Sequence, residues 1–214
     1  MEPRESREPQ DRIDPTTGRR ARKWDRLVSG LLPVGMPWPP VGPIVVVSPH
    51  PDDELLAVGA TLAAASDAGT EITIVAVTDG ELSHPHLTDG ERDGLVGLRL
   101  AETDSAYAAA GIVAVRHRLG LPDGRASDHA GRLAGRLADL LAGAAWCLAP
   151  WESDGHPDHD VCGRAAGDTC REPGVRFARF PAWSWNWDDP SSPSIPLDSA
   201  VAWSSGDALP ASNQ

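Results

Sequence analysis

Lysine is almost absent: Lys23 stands alone beside eighteen arginines. Phosphate-binding loops, pyridoxal Schiff bases and phospho-acceptor receiver domains draw on a lysine in the body of the fold. Here the one lysine lies in a polar N-terminal stretch, so those chemistries are set aside. Cysteine is scarce as well. Cys147, Cys162 and Cys170 form an odd set without a Cys-x-x-Cys pair, which argues against a disulfide framework and for a cytoplasmic protein. No apolar run approaches the roughly 20 residues of a membrane-spanning helix. Basic charge is short too: a formal net charge of −12 argues against a general nucleic-acid binder, whose partner is a polyanion. A neutral or cationic small-molecule substrate suits that balance better.

What is present suffices for one domain with a real core, at 214 residues and 41% hydrophobic content. Residues 1–37 are rich in Arg, Glu, Asp and Pro and show no apolar period. They read as a flexible polar tail, with 38–214 as a single α/β domain. Arg19-Arg20 precede an apolar stretch, but Pro33, Pro37, Pro39 and Pro40 interrupt it and make it a poor secretion signal. From Pro43 onward two kinds of segment alternate. Ile44-Val45-Val46-Val47, Ile72–Val77, Val113–Leu119 and Ala145–Ala149 read as buried strands; Glu54–Ala68, 98–110 and Arg132–Ala142 read as helices. The alternation predicts βαβ units, a mostly parallel sheet and a Rossmann-like layered fold, with ligands beyond the strands' carboxyl ends.

Two segments deliver histidine and acid to that edge. The first strand runs into Ser48-Pro49-His50-Pro51-Asp52-Asp53-Glu54, and the fourth into Asp154-Gly155-His156-Pro157-Asp158-His159-Asp160. Imidazole and carboxylate suit zinc or a similar first-row divalent ion, and a catalytic site keeps three protein ligands and an open position. His50, Asp53 and His159 are the expected metal ligands. Asp52 is left as general base, and His156, if protonated, as oxyanion stabiliser or acid. Asp158, grouped with the catalytic residues, and Glu54 are expected to orient the histidines.

The Ser-Pro-His-Pro-Asp-Asp-Glu and His-Pro-Asp-His motifs together resemble the LmbE/PIG-L family of zinc-dependent N-acetylglucosamine deacetylases. The resemblance extends to Thr78-Asp79-Gly80-Glu81, to Arg99 with Glu102, and to Leu121-Pro122-Asp123-Gly124. It implies a hydrolase that removes an N-acetyl group from an amino sugar or glycoconjugate, with Zn2+ on His50, Asp53 and His159 and with Asp52 as base. It also implies His156 as electrostatic stabiliser or general acid. Members acting on mycothiol precursors carry a tyrosine where this chain has Asp154, which is taken as a substrate contact.

Other residues are weighed more evenly. His84 and His86 follow the second strand and are candidate substrate contacts, although exposed loop histidines are common. Trp183, Trp185 and Trp187 alternate, so an extended segment would put all three on one face; Trp185 is the candidate sugar platform, against plain packing or a subunit contact in a homo-oligomer. Arg99 and Glu102 read as a helix-surface or inter-helix pair, Asp123 as a turn residue, and Cys162 as a weak candidate ligand. The polar end, Ser204–Gln214, suggests an abbreviated C-terminal part. Two other functions fit the same residues: an amidase for a larger acyl-amine conjugate, and a non-catalytic carbohydrate-binding protein.

Overall fold

The computed structural model describes residues 21–31, 39–171 and 174–197. Its strands form where β-branched and apolar runs can be covered on both faces. Ile44–Ser48 (β1) and Trp146–Pro150 (β4) are buried at every residue; Ile72–Ala76 (β2), Val115–Arg118 (β3) and Arg176–Phe180 (β5) complete the sheet. All pairings are parallel, in the order β3-β2-β1-β4-β5. Parallel neighbours require crossovers, and helices supply them: Asp53–Asp67 (α2), Asp89–Ala110 (α3), Ala130–Leu141 (α4) and Pro157–Thr169 (α5). Two short helices, Ala21–Val28 (α1) and Ser184–Trp187 (α6), lie outside this alternation.

Strand side chains alternate between faces, so the sheet has two cores. Val45, Val47, Cys147 and Ala149 pack with Leu133, Leu137 and Leu141 of α4 and with Val161 and Ala166 of α5. Ile44, Val46, Trp146 and Leu148 pack with Leu62 of α2 and Tyr107 of α3. The chain thus leaves β1 toward one face and β4 toward the other. The loops after these two adjacent strands diverge, and a crevice opens between them at the reversal of strand order.

The fold class is the one expected, but several boundaries differ. The helix after β2 begins at Asp89 rather than at 98, because Thr88 and Glu91 form a reciprocal capping box that starts it early. β5 was not foreseen, since Arg176 and Arg179 are exposed on this edge strand and break its apolar pattern. Within the stretch expected as a tail, residues 21–28 are helical. Trp24 is 5% exposed and meets Trp185 edge to face at 4.9 Å, which fixes that segment. Residues 1–20, 32–37 and Ser204–Gln214 lie outside the described residues. Among the described residues no helix is long and apolar enough to cross a membrane.

Candidate metal centre

The β1–α2 turn is short and tightly bonded. Ser48 Oγ donates to the His50 carbonyl at 2.8 Å, and the His50 N–H donates to Asp53 Oδ2 at 2.9 Å, so ring and carboxylate are held on one side of the turn. Between them Asp52 takes φ 102°, a conformation shared by no other non-glycine among the described residues. Such a backbone costs on the order of 1–3 kcal/mol and persists only where its surroundings enforce it. Across the crevice His156 caps α5, Pro157 fits the first helical position, and the same first turn carries Asp158 and His159, both fully buried.

Three donors from the two segments converge. Asp53 Oδ2 lies 3.2 Å from His50 Nδ1 and 3.2 Å from His159 Nε2, and the two nitrogens are 3.3 Å apart. A tetrahedral ion with bonds of about 2.0–2.1 Å separates its ligands by about 3.3–3.4 Å, so this nearly equilateral triangle fits such an ion and leaves a fourth corner open.

The far nitrogen of each ring is tied to buried acid, which aims the other at the triangle. His159 Nδ1 donates to Asp154 Oδ2 at 2.8 Å. His50 Nε2 is shared between Asp158 Oδ2 at 3.1 Å and Asp123 Oδ1 at 3.2 Å. Carboxylate–histidine pairs of this kind fix ring orientation and raise ligand basicity. Burial works against a charged His50 ring, yet Asp123, Asp158 and Asp53 outweigh it and hold its pKa up at about 11. Burial likewise opposes charge on Asp53, but His159 and His50 keep its carboxyl far below the usual range.

His156 sits beside the triangle, with its ring 4.7 Å from that of His50 and 5.2 Å from that of His159. Its Nδ1 accepts the Asp158 N–H at 3.2 Å, which leaves the ring proton on Nε2. Burial and the two neighbouring imidazoles press its pKa down to about 4. The lowered pKa favours the neutral ring near pH 7, and that ring still has an N–H to donate.

Asp52 stands at the rim with its side chain 56% exposed. Burial of the rest and the Asp53 charge raise its pKa, while Arg99 pulls it back. Arg99 is no helix-surface partner of Glu102: its NH2 donates to the Pro51 carbonyl at 3.0 Å and approaches Asp52 Oδ2 at 3.4 Å, and its NH1 reaches the Gly80 carbonyl. Gly80, at φ 67°, leaves space for that guanidinium, which a Cβ would strike.

Several expected roles change with these contacts. Asp154 is fully buried and accepts the N–H groups of Ala182, Trp183 and Ser184 besides His159, so no substrate can touch it. Asp158 is equally sealed, bonded to the Gly124 and Ala126 N–H groups; it orients His50 and is not a reacting group. Glu54 orients no histidine, since Ser48 Oγ and the Tyr107 hydroxyl occupy it. Cys162 is buried with its thiol pushed well up by burial and by Asp158 and Asp53, and it does not enter the donor set. Trp185 turns away to the Pro181 carbonyl and Trp24 because the segment is helical rather than extended. Trp183 is the indole at the centre, 4.9 Å from His156. His84 and His86 are exposed on the loop after β2, His84 against Ser83, and neither joins the ring of groups around the triangle. Asp123 was missed as a site residue; its signal was its place just past β3, at the sheet edge that carries both motifs.

The family described as PIG-L: GlcNAc-PI de-N-acetylase matches residues 45–170. A 1D-myo-inositol 2-acetamido-2-deoxy-alpha-D-glucopyranoside deacetylase of Mycobacterium sp. (strain KMS) is 30% identical over 162 residues, covering 62% of this chain and 53% of that protein. The chain thus spans about half the length of that relative. Among solved structures, the A40926 pseudoaglycone deacetylase superposes with TM-score 0.56 at 24% identity over 72% of this chain and 69% of its own. The N,N'-diacetylchitobiose deacetylase from Pyrococcus horikoshii does so with TM-score 0.51 at 23% identity over 60% and 49%. At those identities the two structures share the fold.

Proposed function

Because the chain belongs to the PIG-L family of GlcNAc-PI de-N-acetylases, we propose that it is a metal-dependent hydrolase that removes the acetyl group from an N-acetylated amino sugar or glycoconjugate. The observation that carries this reading is the triangle of His50 Nδ1, Asp53 Oδ2 and His159 Nε2. Those three residues would hold the ion, and zinc is the metal we propose from the nitrogen and oxygen donors and the near-tetrahedral spacing. When bound, a divalent ion acidifies water and polarises a carbonyl oxygen.

The protein's own groups supply the rest. Asp52 takes the proton of the attacking water; its raised pKa suits a base that must later release that proton to the departing amine. Arg99 keeps the Asp52 carboxylate at the rim. His156 donates its Nε2–H to the acetamide oxygen as charge develops there, and as a neutral ring it does so without gaining a proton first. Asp154, Asp158 and Asp123 hold the two imidazoles in the required tautomers.

Metal-loaded protein mixed with a panel of N-acetylglucosaminides should release acetate, and Asp52→Asn should lower turnover by at least about 100-fold with metal content unchanged. Full turnover in that variant would remove Asp52 from the base role, and the absence of acetate across the panel would remove the reaction. Trp183, beside His156, supports a second reading in which a bulkier acyl group is cleaved; that reading gains if longer N-acyl chains turn over faster than acetyl.

A further inference from the structure

We infer that Trp183 walls the acyl side of the centre and restricts the amide it cleaves to a short acyl group, acetyl ahead of butyryl and longer chains. The inference rests on the deacetylase reading above and adds to it the residue that measures the acyl chain.

The three tryptophans after β5 are not alike. Trp185 Nε1 donates to the Pro181 carbonyl at 3.0 Å and Trp187 Nε1 to the Asp154 carbonyl at 2.6 Å, so both rings are engaged by the protein's own backbone. Trp183 makes no side-chain hydrogen bond among the described residues, and it is half-buried. Its ring lies 4.9 Å from that of His156 and 6.1 Å from that of His159, centroid to centroid. A partly open indole thus stands among imidazoles and carboxylates, on the side of the centre where His156 offers its N–H.

The carboxylate that anchors the metal ligand also anchors this wall. Asp154 Oδ2 accepts His159 Nδ1 at 2.8 Å and the Trp183 N–H at 2.8 Å, while Oδ1 accepts the N–H groups of Ala182 at 3.1 Å and Ser184 at 2.9 Å. The main chain at Trp183 cannot retreat without loosening His159.

The order of the sheet gives the direction. Asp52 follows β1, and Arg99 ties it toward Gly80, past β2; Trp183 lies three residues past the end of β5, at the other end of the order. The centre lies between them. The carbonyl carbon of an acetamide carries oxygen, nitrogen and the acyl carbon in one plane. With the oxygen toward the His156 N–H and the nitrogen toward Asp52, which returns the proton to it, the acyl carbon points away from Asp52 and toward Trp183. A methyl group packs on the indole, whereas each further methylene presses on a ring whose backbone is clamped.

The test compares N-acetyl-, N-butyryl- and N-hexanoylglucosamine with metal-loaded protein, reading the free amine released. From acetyl to butyryl kcat/KM should fall by about tenfold or more, as one or two methylenes do in a fitted pocket, and it should fall further for hexanoyl. Trp183→Ala should shrink the acetyl-to-butyryl ratio by about tenfold, and Trp183→Phe should give an intermediate ratio. Trp185→Phe, on the ring that meets Trp24 instead of the centre, should leave the ratio as it is. The ratio is read because a general loss of order lowers all three substrates together. A flat or rising wild-type series overturns the inference while the hydrolase reading stands. So does an unchanged ratio in Trp183→Ala, or in Trp183→Phe where the alanine variant does not fold. If no substrate releases amine, the deacetylase reading fails instead, and calorimetric binding of acetohydroxamate and hexanohydroxamate to zinc-loaded protein decides the wall. Tighter acetohydroxamate binding that reverses in Trp183→Ala supports it, and any other result overturns it.

Discussion

Asp154 exposes no surface, yet it decides which nitrogen of His159 faces the triangle. Asp154→Asn keeps the size and loses the charge, so His159 loses its anchor and metal affinity should fall by about 10–100-fold. Competition against a chromophoric chelator measures this, with circular dichroism confirming that the helices persist; unchanged affinity would count against the orienting role. Arg99→Lys tests the other side of the centre. One ammonium cannot span the carbonyls of Gly80 and Pro51 and the Asp52 carboxylate together, so kcat should drop by about 10–100-fold at constant metal content. The triad itself was legible because only a few residue types bind a divalent ion and both motifs abut buried strands. Asp123 and Arg99 belong to the motifs of the resemblance, but their contacts with His50 and Asp52 were not legible. A Pro-Asp-Gly sequence satisfies every rule for a turn, and nothing local says that its carboxylate meets an imidazole on another loop. Trp183 was hidden by an assumption of period two in a segment that turns out helical.

At the level of elements, α5 is the most exacting piece, because it carries Asp158 and His159 and lies against the end of β4. Gly163 makes that approach feasible: a Cβ there would strike the Pro150 carbonyl and come within 2.9 Å of the Glu152 nitrogen. Gly163→Ala should therefore destabilise by about 1–3 kcal/mol, read from a denaturant midpoint, and weaken metal binding as α5 is pushed outward. A variant with wild-type midpoint and affinity would show that the helix has slack. β1, β2 and β4 were readable because both their faces are covered, so their sequences are almost continuously apolar. β5 lies at an edge, where Arg176 and Arg179 face solvent and blur the pattern. The start of α3 was readable in principle from Thr88 and Glu91, but Gly90, Gly94 and Gly97 weaken the helical signal that should follow a capping box.

For the molecule as a whole, proton and metal compete for one place. Without metal, His50 stays protonated up to about 11, so an incoming ion must displace that proton. Apparent affinity should then fall as pH decreases, and titration calorimetry in buffers of different ionisation enthalpy should read proton release on binding, since against burial Asp154 and Asp53 hold the His159 pKa up as well. Stability of the metal-free protein runs the other way. A folded pKa raised from 6.5 to about 11 contributes fully below 6.5 and fades as pH climbs toward 11. Melting temperature of the metal-free form should decline through that window, and adding zinc should restore it. A flat metal-free profile would disprove the coupling.

The turn at Asp52 also restricts what sequence can occupy it. With φ at 102°, position 52 admits glycine, asparagine or aspartate far more readily than a longer or branched side chain. A saturation library screened only for folding should therefore return that short set. Glutamate, identical in charge and one methylene longer, should be rejected by the main chain before its chemistry is ever tried.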